Sequence, residues 1–313
     1  MKHIISPLVC TILAGCTCHP LMSNENFSAN SQQYQKVIRE ATPNLRQTFN
    51  SQDGKEINYL CWAEQGRESF LFLNGLESHA SWFDSLATDL VEQGYAVYAL
   101  DRRGSGLNAC LQGDYDAWIN DVDNLVNQIH HNNPGIDINL TSLCFGARLA
   151  TAYTIKHPNQ INTLIYLSPG HKTKVDLNQL EKINLALSTL SGIDTPIQSP
   201  IESPAMFTSD PYMKDRIRND DLRTSYPRAS DFYQGYLLQE LCDNKREHIE
   251  TPSLVVLAGD DEIVDNQATK AFFRGFSRKP EIITYPKSDH IIFFNPVHRS
   301  RLVEDLNRFV NAH

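Results

Sequence analysis

The 313-residue sequence has no long basic run, no C-x-x-C pair, no glycine-rich phosphate loop of standard spacing and no internal repeat. The first absence, together with a net charge of −9, argues against a nucleic-acid partner. The widely spaced cysteines suggest neither a zinc site nor a small disulfide scaffold, and nothing in the pattern implies a metal or an organic cofactor. The apolar stretch at residues 4–13 is too short to span a bilayer. What remains is an ordinary globular composition, 41% hydrophobic and 21% charged. The length suits one large α/β domain with an insertion, or two domains.

Short apolar runs alternate with helical spacing. Residues 57–62, 69–73, 96–100, 138–141, 163–167, 253–258 and 281–285 read as strands. Between them Trp82, Leu86 and Leu90, then Trp118, Val122, Leu125, Val126 and Ile129, recur at helical intervals, as do Val303, Leu306 and Val310 near the end. This alternation predicts a mostly parallel sheet with helices on both faces. It pauses from about 170 to 251, where Pro196, Pro200, Pro204, Pro211 and Pro227 interrupt helix-like pieces such as 177–190. That stretch reads as an inserted cap.

One strand, 138–141, runs into Ser142-Leu143-Cys144-Phe145-Gly146, and a helix-like run at 147–157 follows. This is the shape of a nucleophile elbow, a strand-to-helix turn that lifts one side chain above a sheet. A buried small hydrophobe would explain a cysteine there equally well, so the rest of the chain decides. A thiol nucleophile needs a base, and the base an orienting acid, in chain order nucleophile, acid, base. Asp261 follows the strand at 253–258 and His290 the strand at 281–285, so both occupy strand carboxyl ends, where open α/β sheets place ligands. Asp260 rivals Asp261 for the acid. Backbone N–H donors for an oxyanion are expected from Phe145, next to the nucleophile, and Leu76, in the loop after 69–73.

The segments 73–83, 101–106, 142–146, 259–265 and 289–290, in this order, resemble the α/β-hydrolase superfamily, especially its monoacylglycerol lipase, lysophospholipase and serine aminopeptidase-like branch. The resemblance covers roughly Tyr59 to the end and implies an α/β-hydrolase fold with a Cys144–His290–Asp261 triad. Asp261 is preferred to Asp260 because Asp-x-Ile-Val matches the family spacing. Two departures stand out: Asn74-Gly75 replaces the usual His-Gly, and Cys144 replaces serine.

A helix N-terminus and a neighbouring imidazole both favour a thiolate. The expected activity is therefore hydrolysis of an ester, thioester or lipid-acyl bond through an S-acyl intermediate. The small-molecule acyl substrate would be apolar or lipid-like, with cap residues such as Leu185, Leu187, Leu190, Phe207, Phe232, Tyr233 and Tyr236 flooring its pocket. An acyltransferase using the same residues, and an inactive ligand-binding protein of this fold, are the alternatives. Oligomeric state is not readable.

The N-terminus carries a separate signal. Lys2 and the apolar run at 4–13 read as a secretory signal, and Leu13-Ala14-Gly15-Cys16 resembles a bacterial lipobox. The resemblance implies cleavage of residues 1–15, a diacylglycerol on Cys16, and lipid anchoring outside the cytoplasm in a bacterial cell envelope. Residues 16–40 read as a flexible tether and 41–313 as the folded body.

Overall fold

A computed structural model describes residues 44–313. The expected signal, lipobox, Cys16 and the whole tether lie outside the described residues. One eight-stranded sheet runs in the order β1-β2-β4-β3-β5-β6-β7-β8. Its strands are β1 (Arg46–Asn50), β2 (Glu56–Ala63), β3 (Ser69–Leu73), β4 (Ala96–Leu100), β5 (Ile138–Leu143), β6 (Thr163–Leu167), β7 (Ser253–Ala258) and β8 (Glu281–Tyr285). The β1–β2 and β2–β4 pairs are antiparallel, and every other pair is parallel.

The inner strands β3 to β7 are buried along their whole length because both faces are covered. Phe70 and Phe72 of β3 point into one core with α1 (Asp84–Glu92) and the C-terminal α8 (Pro296–Val310). Leu71 and Leu73 point into the other, with α2 (Tyr115–Asn132), α3 (Gly146–Lys156) and α7 (Asn266–Phe273). The period-two alternation of the strand thus feeds two helical layers. β1 has no apolar run. It is a polar edge strand held by its ladder to β2, with Phe49 packed on Tyr59 at 6.0 Å.

Between β6 and β7 lie α4 (Gln179–Ser191), α5 (Pro211–Arg218) and α6 (Ala229–Lys245). Side chains of Asn178 and Asp210 cap α4 and α5, and Gly192 ends α4 in the left-handed region at φ +70°. The sequence hides α6, because the residues it buries (Ala229, Asp231, Gly235, Leu238 and Cys242) are mostly small or polar. Gly235 is small because a Cβ there would stand 2.5 Å from the Phe145 ring. Buried charge pairs fix this helical segment to the loops after β3 and β4: Glu77–Arg223 at 2.7 Å, His79–Asp220 at 2.9 Å and Arg102–Asp231 at 3.1 Å. Burial pushes the Glu77 carboxyl up despite Arg223, whereas Asp220 lifts the His79 imidazole against the opposing effect of burial. Among the described residues no helix is long and apolar enough to cross a membrane.

Candidate active site

Cys144 occupies the turn between β5 and α3 with φ +50°, a left-handed conformation that costs a non-glycine residue about 1–3 kcal/mol. The surroundings hold it there. Its N–H donates to Leu167 O at 3.1 Å, and its carbonyl accepts from Gly170 at 2.8 Å and Ala147 at 3.0 Å. The turn needs glycine at 146, where a Cβ would meet the Leu73 carbonyl at 2.5 Å and that of Asn74 at 2.6 Å. Ser142 is buried, and its hydroxyl donates to Ile165 O at 3.2 Å.

The sheet brings three distant segments to one edge. Asp261, after β7, is 1% exposed, and its carboxylate meets His290 Nδ1 at 2.9 and 3.0 Å. The same carboxylate accepts from the N–H groups of Ile263 and Val264, both at 2.8 Å. Asp260 is exposed and does not take part. Ser168, at φ +44°, donates to the His290 carbonyl at 2.6 Å and fixes the far side of the loop. His290 Nε2 is buried with no hydrogen-bond partner among the described residues. His290 and Cys144 line one small cavity of about 10 Å³ with Gly75, Leu76, Trp82 and Phe207.

The electrostatics fit this placement. Burial alone pushes the His290 imidazole down, but the Asp261 carboxylate and the Cys144 sulfur lift it to about 10. Burial raises Asp261, yet the charge of His290, the hydrogen bond to it and the two backbone donors bring it below the usual carboxylate range.

Leu76 and Phe145 both line a cavity of about 220 Å³ that also exposes Cys144. Neither amide N–H makes a hydrogen bond among the described residues, and Gly75 lies so close that a Cβ on it would stand 3.3 Å from Cys144 Cβ. Asn74 ties this loop down. Its amide donates to Ser78 O at 2.5 Å and to Ser105 Oγ at 3.1 Å, and its oxygen accepts from Arg102 N at 3.2 Å. The Phe145 ring is held between the guanidinium groups of Arg102 and Arg148, each 5.2 Å away. Cys61, Cys144 and Cys242 are free thiols. No cluster among the described residues is arranged to hold a metal ion.

Of the apolar residues expected to floor a pocket, Leu185 and Phe232 line the larger cavity and Phe207 the smaller. Leu187, Leu190, Tyr233 and Tyr236 face outward, Leu190 with 85% of its surface exposed. Helical spacing marks an apolar stripe but not what covers it. Arg148, Gly170 and the backbone donors to Asp261 escaped the sequence reading. The signal for Arg148 was present: an arginine in the first turn of a helix of small residues, Gly146-Ala147-Arg148-Leu149-Ala150.

A sheet with this strand order and helices on both faces is the α/β-hydrolase fold. The family described as serine aminopeptidase, S33 (Hydrolase_4) matches residues 64–297, and the chain belongs to that hydrolase family. Among solved structures, a soluble variant of monoglyceride lipase from Saccharomyces cerevisiae superposes with TM-score 0.74 at 19% identity, over 85% of this chain and 94% of that one. The monoacylglycerol lipase of Paleococcus ferrophilus gives 0.71 at 17% identity, over 80% and 97%. A thermostable carboxyl esterase from Bacillus coagulans gives 0.69 at 17%, over 85% and 97%. Identities this low speak to the fold alone. Comparison with curated proteins gives no significant match.

Proposed function

We propose that the protein hydrolyses an acyl ester or thioester through a covalent S-acyl intermediate on Cys144. One observation carries this reading. A thiol on a left-handed strand-to-helix turn shares a cavity with an imidazole whose other nitrogen is bound to a buried carboxylate at 2.9 Å. In this scheme the protonated His290 imidazole holds the Cys144 sulfur as a thiolate, which attacks the acyl carbonyl. The oxyanion is received by the N–H groups of Leu76 and Phe145, and His290 returns the proton to the leaving group. Water then cleaves the thioester by the reverse roles. Apolar residues around the larger cavity, Val175, Leu185, Ile201 and Phe232 among them, suit an acyl chain. The monoglyceride lipase bound to a substrate analog supports a small acyl-lipid substrate of this general kind. The helices between β6 and β7 act as a cap that encloses it.

A thiol in place of serine favours a second reading on the same residues. Thioesters are attacked readily by amines and thiols, so transfer to such an acceptor competes with hydrolysis. Intact-mass measurement after mixing with short-chain esters and thioesters tests both. An acyl adduct is expected on the parent protein and none on Cys144→Ala, and added amine acceptors reveal transfer as a second product. An adduct that persists in Cys144→Ala refutes the nucleophile, and ligand binding without any adduct marks an inactive binding protein.

The lipobox supports anchoring of this activity to a bacterial envelope membrane through Cys16. The N-terminal peptide of the protein purified from a bacterial membrane fraction is expected to carry diacylglycerol on Cys16. The Cys16→Ala protein is expected to leave that fraction. An unmodified peptide beginning at another residue rules the anchor out.

A further inference from the structure

Arg148 brings a positive charge to the cavity that holds the proposed nucleophile. It stands in the first turn of α3 and lines the same cavity of about 220 Å³ as Cys144. Its Nε donates to the Gly170 carbonyl at 3.1 Å and its Nη1 to the Gly235 carbonyl at 3.2 Å. One face lies on the Phe145 ring. None of these partners is an anion. The carboxylates nearby are engaged elsewhere: Asp243 with Lys172 at 3.0 Å and Arg246 at 2.9 Å, and Asp176, on the cavity rim, with Lys182. No carboxylate among the described residues pairs with Arg148, and its Nη2 group has no hydrogen-bond partner there. Burial pushes the guanidinium below the ordinary arginine range, and the charge of Cys144 only partly opposes that shift. Arginine keeps its proton at neutral pH regardless. A free guanidinium edge in a mostly apolar cavity is the donor geometry that receives an oxyacid anion.

We infer that Arg148 forms an anion-binding subsite beside the nucleophile, so that the acyl substrate carries a carboxylate or phosphate group close to its scissile carbonyl. This inference rests on the reading of Cys144 as the nucleophile. The cavity volume fits, since about 220 Å³ is below the roughly 300–1,000 Å³ of sites for drug-sized ligands and suits a compact acyl donor.

Two alkylating reagents of nearly equal size, iodoacetate and iodoacetamide, test this without knowledge of the substrate. Each forms an S–CH₂ bond at the cysteine and expels iodide, and they differ in one negative charge. Peptide mapping of the folded protein gives both rates at Cys144, with 2-mercaptoethanol, a neutral thiol in free solution, as reference. The iodoacetate-to-iodoacetamide rate ratio at Cys144 is expected to exceed that of the reference thiol by about tenfold or more, as for one charge-assisted contact of about 1.4 kcal/mol. Arg148→Met is expected to bring the ratio down to the reference value, with Arg148→Lys in between. Because both reagents report on one sulfur, a general loss of reactivity cancels in the ratio.

Equal ratios at Cys144 and the reference thiol overturn the inference, as does a raised ratio that Arg148→Met leaves unchanged, since the charge of His290 then accounts for it. A purely structural role for Arg148, bridging Gly170 and Gly235, predicts equal loss in the Lys and Met variants and also overturns it. If Cys144 reacts no faster than the reference thiol with either reagent, the nucleophile reading fails first. Should the variants not fold, competition in the parent protein decides. Inorganic phosphate or acetate is expected to slow iodoacetate and spare iodoacetamide, the more effective competitor marking the anion class; no differential effect refutes the subsite.

Discussion

Asp261→Asn is expected to lower kcat on the proposed ester or thioester substrate by on the order of 10⁴-fold while leaving the fold intact. The size follows from which atoms the carboxylate serves. One oxygen receives two backbone N–H groups, from Ile263 and Val264 at 2.8 Å each, and both oxygens face His290 Nδ1. In the amide, those backbone donors keep the single oxygen, so the NH₂ group turns to the imidazole. His290 Nδ1 must then accept, so the ring is held neutral with its proton on Nε2 and no cation faces Cys144. A 10⁴-fold loss is about 5.4 kcal/mol of transition-state stabilisation. The measurement is kcat at saturating ester, with near-ultraviolet circular dichroism to confirm the fold. Asp260→Asn, on the exposed neighbour, is expected to change kcat by less than about twofold. A loss below tenfold for Asp261→Asn would remove Asp261 from the mechanism.

The site divides into what spacing can show and what only packing can. Strand-end positions in a parallel sheet are local signals. The apolar runs of β5, β7 and β8 place Cys144, Asp261 and His290 at one edge once the sheet is assumed parallel. The choice between Asp261 and Asp260 is different. In the structure it turns on which side chain is buried against His290, and burial is a tertiary property. The same holds for Glu77–Arg223 and His79–Asp220, whose members are more than a hundred residues apart and individually look like surface charges. β1 was illegible for the opposite reason: Arg46–Asn50 owes its strand to a ladder with β2 rather than to any pattern of its own. Likewise α6 packs through Gly235 and Ala229 against the body, and small residues leave no hydrophobic period to read.

Stability should fall as pH rises from near neutrality toward 10, and His290 sets the window. Its imidazole stands at about 10 in the folded protein, against 6.5 as the ordinary value. Between those values the folded state holds a proton that the unfolded chain has released, so raising the pH favours unfolding. The contribution is fully present below about 6.5 and is lost progressively on the way to 10. At 1.36 kcal/mol per pH unit, about 3 kcal/mol of it disappears between pH 6.5 and 9.5. Other groups also titrate there, so the test is a difference. Urea unfolding of the parent protein and of His290→Gln, which has no ionisable ring, is compared across this range. The parent is expected to lose about 3 kcal/mol more than the variant. Cys144→Ala should narrow the gap, because the sulfur is one of the groups that lift the imidazole, and leave the part due to Asp261. Parallel curves for the parent and His290→Gln would mean that the imidazole is neutral beside Asp261, and the electrostatic account of the pair would fail.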